Sequence, residues 1–181
     1  MATSRQLLLL RHAKSSWDDP ALADFDRPLG PRGLPLGPRG LKTAPLMGRE
    51  LARRSWLPDL ALVSPALRTR ETWRLVSAEL SASVTVEFAE ALFEATAGDI
   101  LAEVQQAVAS AGCLLVLGHN PGLEDFARRF AGPRSGVAAL RKLEEKFPTG
   151  ALARFVIDGD WADLGFGAAR LTHCIKPKDL S

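Results

Sequence analysis

The chain has 181 residues, 46% of them hydrophobic and 24% charged, with a formal net charge of +2. That balance excludes a disordered or membrane-dominated chain and sets the expectation of one globular domain over residues 1–181. Nucleic acid is not expected as a partner, because the arginines are scattered among nearly as many carboxylates and form no basic stripe.

In chain order, QLLLL at residues 6–10 is a short apolar run bounded by polar residues, which predicts a strand covered on both faces. It is too short for a signal-peptide core or a membrane span, so no membrane partner is expected. Arg11, His12 and Lys14 follow directly. Residues 28–41 carry the heptapeptide PLGPRGL twice; with no glycine at every third position and only two copies, they read as a lengthened loop. TAPLMGRELARRSW (43–56) predicts a helix capped at Thr43, with Pro45 in the first turn, where its missing N–H costs little. LALVS (60–64) predicts a second strand, RTRETWRLVSAELS (68–81) a second helix and VTVEF (84–88) a third strand.

GDILAEVQQAVAS (98–110) predicts a third helix with Ile100, Leu101, Val104, Ala107 and Val108 on one face, and CLLVLG (113–118) a fourth strand. ALARFVI (151–157) and ARLTHCI (169–175) predict a late strand pair at one end of the sheet. Strands alternating with helices give an α/β fold, a mostly parallel sheet with helices on both faces. Cys113 and Cys174 lack the close pairing of a zinc knuckle or redox motif, which argues against a disulfide framework and fits a reducing cytoplasm.

Ligands of open α/β sheets sit beyond the carboxyl ends of the strands. There the first strand delivers Arg11 and His12, the second runs into SPALRTRET (64–72) with Arg68 and Arg70, and the fourth delivers His119 within GHNPG. Two histidines and two arginines suit a phosphoryl group: guanidinium forks match its oxygens and stay charged, and a histidine can attack phosphorus directly. Attack needs a neutral ring, and nearby arginines disfavour imidazolium. His173, mid-strand, reads as a structural residue, and Arg70 and Arg74 beside Glu71 as partners in surface ion pairs.

The stretches LLLLRHAKSSW (7–17), RPL (27–29), SPALRTRET and VLGHNPGLED (116–125), in that order and with KFPTGAL (146–152) and KPKDL downstream, resemble the histidine phosphatase superfamily, the phosphoglycerate mutase-like proteins. Within it they resemble the small SixA-like phosphohistidine phosphatases. The resemblance implies a three-layer α/β/α sandwich, His12 as the phosphate-accepting nucleophile, Arg11 and Arg68 as phosphate ligands, His119 completing the pocket, and no metal or other cofactor. It also places Asn120 against substrate. FAEALF (88–93) falls in the register of the family's L-x-E-x-x-Y stretch, which implies Glu90 as proton donor, with Glu94 a rival and an acid-free mechanism also open. Phe93 stands where that pattern often has a tyrosine.

The expected activity is that of a metal-independent phosphohydrolase with a phosphohistidine intermediate, acting on a phosphorylated protein histidine or, alternatively, on small phosphate esters. A mutase is disfavoured because so short a chain leaves little room for a substrate-covering lid. Two other classes stay open at this point. A phosphate-binding module without turnover could dispense with the histidines, and a metal enzyme using His12, His119 and a carboxylate would crowd arginines around a cation.

Overall fold

The computed structural model describes residues 4–15 and 39–180. Its strands are β1 (Ser4–Arg11), β2 (Leu60–Val63), β3 (Thr85–Phe88), β4 (Cys113–Gly118), β5 (Leu152–Asp158) and β6 (Arg170–Ile175). The helices are α1 (Arg39–Arg53), α2 (Leu67–Ser77), α3 (Ala97–Gln105), α4 (Gly122–Phe130) and α5 (Val137–Glu145). The strands form one sheet in the order β3-β2-β4-β1-β5-β6. The first four are parallel, and β5 and β6 run antiparallel at one edge.

The leucine run explains the layering. Leu7 and Leu9 face one core and Leu8 and Leu10 the other, all at most 1% exposed, so a strand with no polar side must be covered twice. Met47 and Leu51 of α1 and Trp73 and Val76 of α2 cover the second face. Ile100 and Val104 of α3, Phe126 and Phe130 of α4 and Leu143 of α5 cover the first. The result is the expected α/β/α sandwich with a late antiparallel pair.

Three local expectations are corrected. Helix α1 starts at Arg39 rather than at a Thr43 cap, so Thr43 is buried within it and Pro45 is its seventh residue. At that position Pro45 removes the N–H that would reach the Leu41 carbonyl, a cost that the burial of Met47 and Leu51 on the same helix offsets. Helix α3 ends at Gln105, leaving Val108 outside it and 55% exposed. Helices α4 and α5 were not expected, although Leu123, Phe126, Ala127 and Phe130 keep helical spacing and are all buried. Of the duplicated heptapeptide, residues 28–38 lie outside the described residues, as does RPL; its last three residues form the first turn of α1.

Candidate active site

The site follows from strand register. Leu10 pairs with Leu117, Arg11 with Gly118 and Val63 with Leu117, so β1, β4 and β2 end in one row. The next residue of each strand therefore emerges at the same edge: His12, His119 and Ser64. The row is tied by the His12 N–H donating to the Gly118 carbonyl at 3.1 Å and the Ser64 N–H to that of Leu117 at 3.0 Å. Arg68 arrives from the first turn of α2, immediately beyond β2. His12, Arg68 and His119 are 6%, 6% and 8% exposed, so charge placed among them is poorly screened by water.

Hydrogen bonds define the state of both rings. His12 Nδ1 lies 2.7 Å from the Ala13 carbonyl, which can only accept, so Nδ1 carries the proton. Nε2 keeps its lone pair and faces Arg68 Nε at 3.4 Å. Burial holds the His12 pKa well below the ordinary 6.5; the Ala13 carbonyl opposes this, and His119, Arg68 and Arg11 reinforce it. Arg68 Nη2 donates to His119 Nδ1 at 2.9 Å, which leaves the His119 proton on Nε2, donating to Ser64 Oγ at 2.7 Å. The rings lie 5.3 Å apart, and Phe93 meets His119 edge-on at 5.6 Å.

Arg11 is held from the other side. Its Nη1 donates to the Phe147 carbonyl at 3.1 Å, and among the described residues its buried Nε finds no acceptor. A buried guanidinium donor left open near His12 is a ready anion contact. Burial lowers the Arg11 pKa, Glu124 opposes that, and Arg68 adds to it. Glu124 also accepts from the Phe147 N–H at 2.9 Å, so the KFPTG segment is fastened to α4 while its carbonyl holds Arg11. Gly150 closes the segment, donating to the Arg11 and His12 carbonyls at 3.1 and 2.9 Å with φ of +78°.

The remaining candidates fall in different places. Asn120 lines the adjoining cavity, but its amide donates to the Phe147 carbonyl at 2.9 Å and its oxygen accepts from the Glu124 N–H at 3.2 Å. Glu90 is exposed on a short 3₁₀ turn (Glu90–Leu92) and is not among the residues lining the cavity, whereas Glu94 is. The cavity, about 550 Å³, runs from Arg68 and His119 to the first turn of α4. His173 lies away from this edge on β6, bonded through Nδ1 to Thr172 Oγ1 and packed edge-on against Trp56. Arg70 donates to the Pro65 carbonyl at 2.8 Å on the exposed side of α2. Among the described residues no three His, Cys, Asp or Glu side chains converge as metal ligands.

Two contributors were missed in the sequence. Ser64 is fully buried and fixes the His119 tautomer; Thr72 Oγ1 accepts from the Ala13 N–H at 3.1 Å and donates to the Arg68 carbonyl at 2.7 Å, coupling the nucleophile loop to α2. Ser64 was findable, since it closes the predicted strand LALVS at the same edge to which the first and fourth strands deliver His12 and His119. Thr72 gave no such signal, because its partner is a backbone group distant in sequence.

The chain is similar to known proteins over most of its length. A family model described as the histidine phosphatase superfamily (branch 1) matches residues 7–111. An uncharacterised protein of Mycobacterium tuberculosis is 34% identical over 170 residues, covering 93% of this chain and all of that one. A structure from Nakamurella multipartitia, proposed to be the phosphohistidine phosphatase SixA, has a TM-score of 0.79 at 32% identity, covering 97% of this chain and 98% of that chain. A second proposed SixA, from Agrobacterium tumefaciens, gives 0.77 at 25% identity, with 96% and 98% covered. The chain therefore belongs to the histidine phosphatase superfamily and is a phosphatase.

Proposed function

We propose that the protein removes phosphate from a phosphorylated protein histidine through a phosphoenzyme formed on His12. The observation that carries this reading is geometric: His12 Nδ1 lies against the Ala13 carbonyl and Nε2 faces a buried guanidinium able to hold phosphate oxygens, while burial lowers the pKa of the ring and so favours its neutral form. Arg11 and Arg68 bind the phosphoryl oxygens, and Nε2 attacks phosphorus. The substrate ring carries a proton from solvent on its other nitrogen, so when the bond from phosphorus to nitrogen breaks and the electron pair stays on that nitrogen, the ring leaves as neutral imidazole. Water then attacks the phosphoenzyme and releases inorganic phosphate, restoring neutral His12. His119, oriented by Ser64 and Arg68, borders the transferring group. The whole chain acts as one catalytic domain in the cytoplasm, without a metal.

An imidazole leaving group needs little proton donation, whereas an alkoxide needs a positioned acid worth about 10²–10⁴-fold. Glu90 is the donor the family register implies, and Glu94 is the carboxylate that lines the cavity. The names of the SixA-like neighbours favour a phosphohistidine substrate over the ester alternative. Purified enzyme assayed on a phosphohistidine-bearing protein, nitrophenyl phosphate and alkyl phosphates is expected to hydrolyse the first two and to be slow on the alkyl esters. Fast alkyl-ester turnover, with Glu90→Gln selectively removing it, would make this an ester phosphatase with Glu90 as its acid.

A further inference from the structure

The cavity joins two opposite charges. Its lining includes Arg68 and His119 and also Glu94, which lies between Phe93 and Ala95 in the chain and faces the same cavity as Pro121 and Gly122. Glu94 is exposed and has no ion-pair or hydrogen-bond partner among the described residues, whereas the other lining carboxylate with a nearby cation, Asp125, lies 3.8 Å from Arg129. The wall is built rather than loose. A Cβ on Gly122 would sit 1.9 Å from the Ala95 carbonyl oxygen, so the two sides are in direct contact. The segment is pinned just beyond by a capping box, Thr96 Oγ1 accepting from the Asp99 N–H at 3.2 Å and Asp99 from the Thr96 N–H at 2.9 Å.

Glu94 itself has a φ of +56°, a left-handed conformation uncommon for a side chain of this kind and concentrated at functional sites. A glutamate held there, unpartnered and against a phosphate pocket, has no structural use for its charge in the fold. It does have one in recognition. A carboxylate at the mouth of an anion pocket repels substrates with further negative charge next to the phosphate and attracts those with positive charge there.

We infer that Glu94 is a specificity residue that selects substrates bearing cationic groups beside the phosphoryl group, so that, within the proposed phosphohistidine reading on which this rests, the preferred target is a phosphohistidine flanked by lysine or arginine. The cavity is thus dipolar, cationic where phosphorus sits and anionic where the flanking residues lie.

The test compares kcat/KM for peptides carrying one phosphohistidine flanked by lysines or by glutamates, and in parallel for O-phosphoethanolamine and 2-phosphoglycolate, two esters that differ in the same sense of charge. Each pair shares its reacting centre, so their ratio cancels general losses of activity. Wild type is expected to favour the cationic member of each pair by roughly tenfold, less at high salt. Glu94→Gln and Glu94→Gly, the latter suited to the backbone conformation, should bring the ratio close to one, and Glu94→Lys should invert it. Glu144→Lys on α5, with the same change in net charge, should keep the wild-type ratio. No preference in wild type, a ratio unmoved by Glu94→Gln and Glu94→Lys, or an equal response to Glu144→Lys would overturn the inference. If wild type turns over the esters and none of the peptides, the phosphohistidine reading fails while the ester pair still decides the role of Glu94.

Discussion

His12 owes its readiness to its surroundings rather than to its own chemistry. An exposed histidine is half protonated near 6.5; here burial, with two arginines and a second histidine nearby, moves that midpoint well down. The sign matters: as pH falls through 6.5 the ring stays neutral, so the nucleophile is not lost to protonation. Followed by NMR, the His12 imidazole should show no titration step between pH 8 and 6, and a midpoint near 6.5 would contradict the site as described. Ser64 supports a second prediction. Ser64→Ala leaves the buried His119 N–H without its acceptor, costing about 1–3 kcal/mol of stability. It should also lower kcat/KM by about tenfold or more, because His119 can then turn away from Arg68. Urea unfolding and steady-state kinetics measure the two effects separately, and loss of stability with unchanged kinetics would reduce Ser64 to a packing role.

At the scale of elements, the site is a consequence of three parallel strands ending in register. This much was legible: the apolar runs marked β1, β2 and β4, and the strand-end rule then brought His12, His119 and Arg68 to one edge before any contact was known. The KFPTG segment was not legible in its role, since its work is done by the Phe147 peptide and the Gly150 N–H, backbone groups that leave no trace in residue type. Asn120 illustrates the same limit, because its position could be read but not the commitment of its amide to Phe147 and of its oxygen to Glu124. Glu90 was placed by register with a family pattern, and register cannot tell which carboxylate turns toward a cavity. Tight contact between elements yields a further prediction. Gly122→Ala should destabilise by about 1–3 kcal/mol in spite of alanine's better helix propensity, because the new methyl meets the Ala95 carbonyl. Gly165→Ala, where the new methyl meets nothing within 4 Å, should be close to neutral, and equal effects on urea unfolding would show that the α4 turn can shift.

Over the whole molecule, two hydrophobic layers hold a sheet whose interior strand has no polar face, and everything reactive is displaced to one edge. Such division lets a rigid core fix the geometry of a site built almost entirely from residues just beyond strand ends. The described residues contain no helix long and apolar enough to cross a membrane. The central claim, covalent catalysis by His12, is tested most directly by trapping. Enzyme mixed with phosphorus-labelled substrate and quenched in alkali within the first turnovers should retain label on the protein, stable to base and released by acid, with the labelled peptide containing residue 12. Absence of label from His12→Ala under the same conditions completes the prediction; equal labelling of wild type and His12→Ala would contradict it.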